Sequence, residues 1–147
     1  MIVNFLDILE NHKMLVENSG LLTVAALKHL DCKGKRVVSI LSGGNMDIIT
    51  LSSVVQHGLI ARGRVFTVAV QLPDRPGELV NVADIIAKEK GNVIRLEHNQ
   101  FVSINRNAAV ELRITLEAFG QEHKNEILKA LRDKGYDAKE ETPTGMY

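Results

Sequence analysis

Aromatic residues make up only 4% of this chain, tryptophan is absent, and neither sign of charge prevails. Lys and Arg total 18, Asp and Glu total 18, so no global field draws the chain to nucleic acid or to an anionic membrane surface. The single cysteine, Cys32, excludes an internal disulfide and fits a reducing cytoplasm. No apolar run is long enough to span a bilayer. The start, Met1 to Asp7, lacks a basic region, and Asp7 and Glu10 interrupt its apolar residues, so it does not read as a signal peptide. His12, His29, His57, His98 and His123 never approach metal-ligand spacing with one another or with Cys32. They are assigned surface or packing roles, and no metal site is expected. What is present, 45% hydrophobic and 24% charged residues over 147 positions, suits one soluble domain or two small ones.

The chain changes character near Ala61-Arg62-Gly63-Arg64, which divides it at about residue 62. Before that point, Phe5, Leu6, Ile8 and Leu9 predict a helix ending near His12, followed by a short extended run at 14–17. A second helix is expected from Ser19-Gly20, with Leu22, Ala25, Ala26 and Leu30 on its apolar face and Gly34 as its stop. The β-branched run 36–41, bounded by Gly34 and Gly43-Gly44, reads as a buried strand. Residues 47–60 read as helix, with Gly58 a possible early end. One strand without a partner cannot satisfy its backbone, so this half is expected to pack against something outside the chain.

The second half closes better. Strands are expected at 64–72, 92–101, 108–116 and 136–140, and helices at 77–90 and 121–134, with a turn at 104–107. Val110, Leu112, Ile114 and Leu116 alternate with Glu111, Arg113, Thr115 and Glu117, as in a sheet with one wet face. Leu79, Val82, Ala83 and Ile86 form one helical stripe, and Ile127, Leu128 and Leu131 another. Gly91 and Gly135 stand where helix C-caps belong. The order βαββαβ predicts an α+β, ferredoxin-like antiparallel sheet with two helices on one face.

Two turns carry the candidate chemistry. In Asp74-Arg75-Pro76-Gly77, the plain structural reading is a helix start, with Asp74 or a neighbour as cap, Pro76 setting φ and Gly77 relieving crowding. The functional reading is a carboxylate seat at the positive end of the helix. Leu72-Pro73-Asp74-Arg75-Pro76-Gly77-Glu78-Leu79, then Gly91-Asn92-Val93-Ile94, resembles the ACT domain, a small regulatory module that binds amino acids. The resemblance covers about 64–141. It implies effector binding by Asp74, Pro76, Gly77, Glu78 and Leu79, with Asn92 and Val93 contributed across a pair of such domains. Asp74 would hold the ammonium of the effector, and the amides near Gly77 to Leu79 its carboxylate.

The second turn is Leu41-Ser42-Gly43-Gly44-Asn45, either a plain strand-to-helix turn or a weak anion nest. It has neither the lysine of a Walker loop nor the third glycine of a dinucleotide loop. With Glu17-Asn18-Ser19-Gly20 upstream, it is similar to the carboxy-terminal end of the catalytic domain of threonine ammonia-lyases, which are pyridoxal-phosphate enzymes. The resemblance implies that Ser42, with Gly43, Gly44 and Asn45, meets the pyridine side of the cofactor and that Glu17 lines the same pocket. It also exposes a departure. The family carries its cofactor lysine in a Ser-Phe-Lys-x-Arg-Gly-like motif and cradles the phosphate with a run of glycines. Lys13, Lys28, Lys33 and Lys35 lack the first context, and Gly43-Gly44 is the only glycine pair.

The resemblance therefore implies three parts: 1–62, the end of a pyridoxal-phosphate domain; 63–141, an ACT domain; and 142–147, a tail. The expected function is amino-acid sensing for an enzyme that converts threonine to 2-oxobutanoate and ammonia, without stable cofactor binding or catalysis by this chain alone. The alternative is a standalone ACT-domain regulatory protein. A third reading, an RNA-binding module on the same fold, needs aromatics on the central strands, and 108–116 has none. Isoleucine, valine, serine and threonine all remain open as effectors. Homodimers or larger oligomers through the ACT domain are expected, with no nucleic-acid or membrane partner.

Overall fold

The computed structural model describes residues 2–99 and 110–141, in two compact units, Met1–Ala61 and Arg62–Tyr147. The expected turn at 104–107, the strand ends at 100–101 and 108–109, and the tail at 142–147 lie outside the described residues.

The second unit is built as its alternation predicts. Its elements are β1 (Val65–Leu72), α4 (Glu78–Lys88), β2 (Asn92–Asn99), β3 (Val110–Glu117), α5 (Gln121–Asp133) and β4 (Asp137–Glu141). The first unit supplies α1 (Ile2–His12), α2 (Leu22–Ala26) and α3 (Ile48–Ala61). The strands form one antiparallel sheet in the order β2-β3-β1-β4, the expected ferredoxin-like arrangement. β1 and β3 lie at its centre with Val68 opposite Ile114 and Val70 opposite Leu112. Those four side chains, with Phe66, Leu72 and Leu116, bury one face under Val82 and Ile86 of α4 and Ile127, Leu128 and Leu131 of α5. Each such aliphatic side chain stabilises the fold by roughly 1.5–3 kcal/mol through its removal from water.

The other sheet face is polar. The Thr67 and Thr115 hydroxyls share a hydrogen bond of 3.0 Å, and ion pairs Arg95–Glu97 (2.6 Å) and Arg113–Glu111 (2.8 Å) flank them. The exposed apolar side chains Val93, Ile94 and Leu96 sit on β2, at an edge of the sheet beside a register shift between Val93 and Arg95.

Both helices of this unit end in paired backbone bonds that satisfy their last carbonyls, and glycine plays a different part in each. After α5, Gly135 takes the left-handed conformation at φ 87°, donating to Arg132 O at 2.9 Å, while Tyr136 donates to Leu131 O. After α4 the left-handed residue is Lys90, at φ 63°, not Gly91 as the sequence suggests. Gly91 is needed for another reason: a Cβ there would lie 2.9 Å from Ile86 Cγ2 and 3.1 Å from Ile127 Cδ1.

The first unit departs further from expectation. Helix α1 forms as predicted and buries Phe5 and Leu6. Gly58 does not end α3. It lies inside the helix and is buried, and a Cβ there would stand 2.5 Å from Leu6 Cδ1, so glycine lets α1 approach. The second helix shrinks to α2 and a 3₁₀ turn at Leu27–His29, with Leu21 buried and Leu22 and Leu30 exposed. The buried strand expected at 36–41 is absent. The segment carries no regular structure, Val38 is 88% exposed and Ile40 74% exposed. A strand forms only by pairing, and no strand exists among the described residues of this unit to pair with it. Among the described residues no helix is long and apolar enough to cross a membrane, and no cluster of His, Cys, Asp and Glu suits a metal.

Candidate effector site

β1 ends on Leu72, which is buried and anchors the chain where it leaves the sheet. Pro73 to Gly77 then reverse direction tightly, with Arg75 N–H donating to Pro73 O at 2.8 Å and Asn81 N–H to Gly77 O at 3.0 Å. Gly77 is the N-cap of α4 at φ 94°, a left-handed conformation that favours glycine. Nothing lies within 4 Å of a Cβ built there, so the glycine serves backbone conformation and not relief of crowding.

Asp74 does not cap the helix, and no other side chain does. The contrast with α3 is instructive, because there Asp47 caps in the ordinary way. Its carboxylate accepts from Thr50 N–H at 2.9 Å and from the Thr50 hydroxyl, which holds the Asp47 carboxyl below its usual range. At α4 no side chain caps: Glu78 N–H turns back to Arg75 O at 3.4 Å, and the start of the helix borders a cavity of about 330 Å³. The loop lines it with Asp74, Arg75, Pro76, Gly77, Glu78 and Leu79, and the sheet adds Leu72, Val110 and His98. Two carboxylates, the uncapped start of a helix and three aliphatic side chains therefore border one small space.

Of the expected residues, the structure brings together Asp74, Pro76, Gly77, Glu78 and Leu79. Asn92 and Val93 are elsewhere. Asn92 opposes Glu117 at the far end of β2 and donates to its carboxylate at 3.2 Å. It lies six positions before His98 on β2, about 20 Å along a strand at ~3.3 Å per residue. His98 and Val110 are the residues that sequence reasoning missed. Antiparallel pairing carries the end of β2 and the start of β3 back beside the end of β1, so the strand order held that signal.

In the first unit, the other candidate residues also converge. Glu17 N–H donates to Gly43 O at 2.9 Å, and the Ser19 hydroxyl donates to the Glu17 carboxylate. A Cβ on Gly20 would strike Ser42 O, and one on Gly43, at φ 77°, would strike Glu17. A Cβ on Gly44 would make only a tight contact, 3.3 Å from Leu15 O, and Asn45 follows on the exposed surface. These contacts gather Glu17, Ser19, Gly20, Ser42 and Gly43 at one place in the unit. Among the described residues no phosphate-cradling glycine run beyond Gly43-Gly44 stands beside them.

No family model matches the chain. It is 39% identical over 132 residues to the L-threonine ammonia-lyase of Geobacter sulfurreducens, covering 88% of this chain and 33% of that protein. It is 33% identical over 135 residues to the L-threonine ammonia-lyase of Thermotoga maritima, covering 91% and 34% respectively. A biosynthetic L-threonine dehydratase of Pasteurella multocida is 32% identical over 137 residues, 89% of this chain and 25% of that one. The chain thus spans about a third of the length of its first two relatives. Among solved structures, the regulatory subunit of aspartate kinase from Thermus flavus aligns at 18% identity and a TM-score of 0.43, over 54% of this chain and 52% of that one.

Proposed function

From its homology to a third of the L-threonine ammonia-lyases, we propose that this chain is the amino-acid-sensing, regulatory part of such an enzyme. Residues 63–141 act as an ACT domain that binds a small α-amino acid, and 1–62 are the carboxy-terminal end of the pyridoxal-phosphate domain. The observation that carries the reading is the cavity at the uncapped start of α4. Asp74 receives the ammonium group, the amides near Gly77 to Leu79 receive the carboxylate, and Leu72, Leu79 and Val110 take an aliphatic side chain. A second copy completes the site by presenting Asn92 and Val93, which a single chain holds at the wrong end of β2.

Pyridoxal phosphate, when bound in a complete enzyme, supplies the electron sink for threonine breakdown. Ser42 would stand against its pyridine nitrogen and Glu17 beside the ring. The chain alone, given pyridoxal phosphate and threonine, is expected to release no 2-oxobutanoate.

Calorimetric titration with isoleucine, valine, serine and threonine tests the sensing role. Asp74→Ala is expected to weaken binding about tenfold to a hundredfold, the loss of one charge-assisted contact. Ser42→Ala should leave affinity unchanged. Equal binding by Asp74→Ala, with loss in Ser42→Ala, would overturn the assignment and put the site in the first unit. Light scattering at micromolar concentration should give at least a dimer.

A further inference from the structure

The cavity wall contains a residue with two competing destinations. Glu78 is the first residue of α4, where a carboxylate is drawn toward the free amides of its own helix. Folded back in that way, it would occupy the seat of a ligand carboxylate. It does not do so. Its Oε2 accepts a hydrogen bond of 3.0 Å from the phenol of Tyr136, in the turn between α5 and β4. Tyr136 in turn packs against the hydrophobic core, and Asn81, one turn along α4, borders a cleft with it. The donor is therefore mounted against the packed core of the unit, while its acceptor stands on the cavity wall. Burial, then the bonded Glu78 carboxylate, raises the phenol above its ordinary range. Tyr136 also lines a second space, a cleft of about 520 Å³ between α4 and α5 bordered by Asn81, Ile85, Lys88, Ala130 and Asp133.

We infer that Tyr136 is a positioning residue for the effector site: it holds Glu78 away from the α4 amides, keeps the carboxylate seat open, and couples occupancy of the cavity to the α4–α5 cleft. This rests on the amino-acid-binding reading above and adds a named device to it. Loss of the phenol hydroxyl frees Glu78 to compete with the ligand. A ligand ammonium that draws on Glu78 must, by the same bond, alter the surroundings of the phenol.

The chain suits a direct test because it has no tryptophan and only two tyrosines, Tyr136 and Tyr147. In a Tyr147→Phe background, isoleucine, valine, serine and threonine are each titrated by calorimetry and by ultraviolet difference absorbance of the remaining phenol. Tyr136→Phe should weaken binding roughly threefold to tenfold, the loss expected for one hydrogen bond acting through a neighbour. In a Glu78→Ala background the same substitution should change affinity by less than about twofold, since the competitor is gone. Saturating ligand should shift the Tyr136 absorbance band, and Glu78→Gln should bring its alkaline titration down. Additive losses from Glu78→Ala and Tyr136→Phe, or an absorbance band indifferent to saturation, would overturn the inference. Binding that Asp74→Ala abolishes but Tyr136→Phe leaves intact overturns the positioning role alone. Failure of all four amino acids to bind the unaltered chain overturns both readings.

Discussion

The second unit has a partner for every strand, and the first has a strand-like segment with none. In the second unit, β1 and β3 each pair on both sides, and their inward side chains meet two helices. In the first, Phe5, Leu6, Val16 and Leu21 are buried together, while Val38, Ile40, Ile48 and Ile49 stand in solvent. The residue types hardly differ: Val37-Val38-Ser39-Ile40-Leu41 is as β-branched as Val65-Phe66-Thr67-Val68-Ala69. What differs is the availability of backbone partners, and β propensity is expressed only where pairing and burial follow.

Substitutions of similar chemistry should separate the two units. The largest effect is expected from Ile114→Ala, which empties a site at the centre of the sheet core and should cost about 2–5 kcal/mol. Urea unfolding followed by tyrosine fluorescence measures it, and a loss under 1 kcal/mol would show that this core is not the source of stability. Gly91→Ala comes next. Its methyl must displace Ile86 and Ile127, so about 1–3 kcal/mol of destabilisation is expected in the same assay. Gly77→Ala meets open space and should cost only about 1 kcal/mol, through its positive φ. Lys90→Gly should stabilise by about 0.5–1 kcal/mol, because the left-handed position then carries no Cβ. Val38→Asp should change stability least, within about 0.5 kcal/mol, since the side chain touches little. A large loss there would erase the contrast between the units.

Tyr136 adds a dependence on pH. Its phenol is raised in the folded state, so the contribution is complete below the ordinary phenol range. It disappears as pH rises through the folded value. Stability should therefore fall above about pH 10 and fall less in Tyr136→Phe.

Much of the second unit was legible because two periodicities, alternation along the strands and helical stripes, point to the same core. The effector loop was legible through Pro76 and Gly77 at the start of a helix. Its cavity was not, because His98 and Val110 reach it only through strand order. Asn92, expected to act across a pair of domains, lies within one chain beside Glu117. Gly91 was noticed for a plausible but mistaken reason, since local caps and long-range close approach both select glycine.

Composition, alternation and turn residues alone determined that 63–141 would form a βαββαβ sheet with one apolar face, because these are properties of neighbours within a few positions. Tertiary structure decided which groups meet. It set Tyr136 on Glu78, brought His98 to the loop, and left 36–41 unpaired, since each outcome depends on a partner distant in the chain or absent from the unit. Local preference selects an element; only a completed surface fixes where it lies.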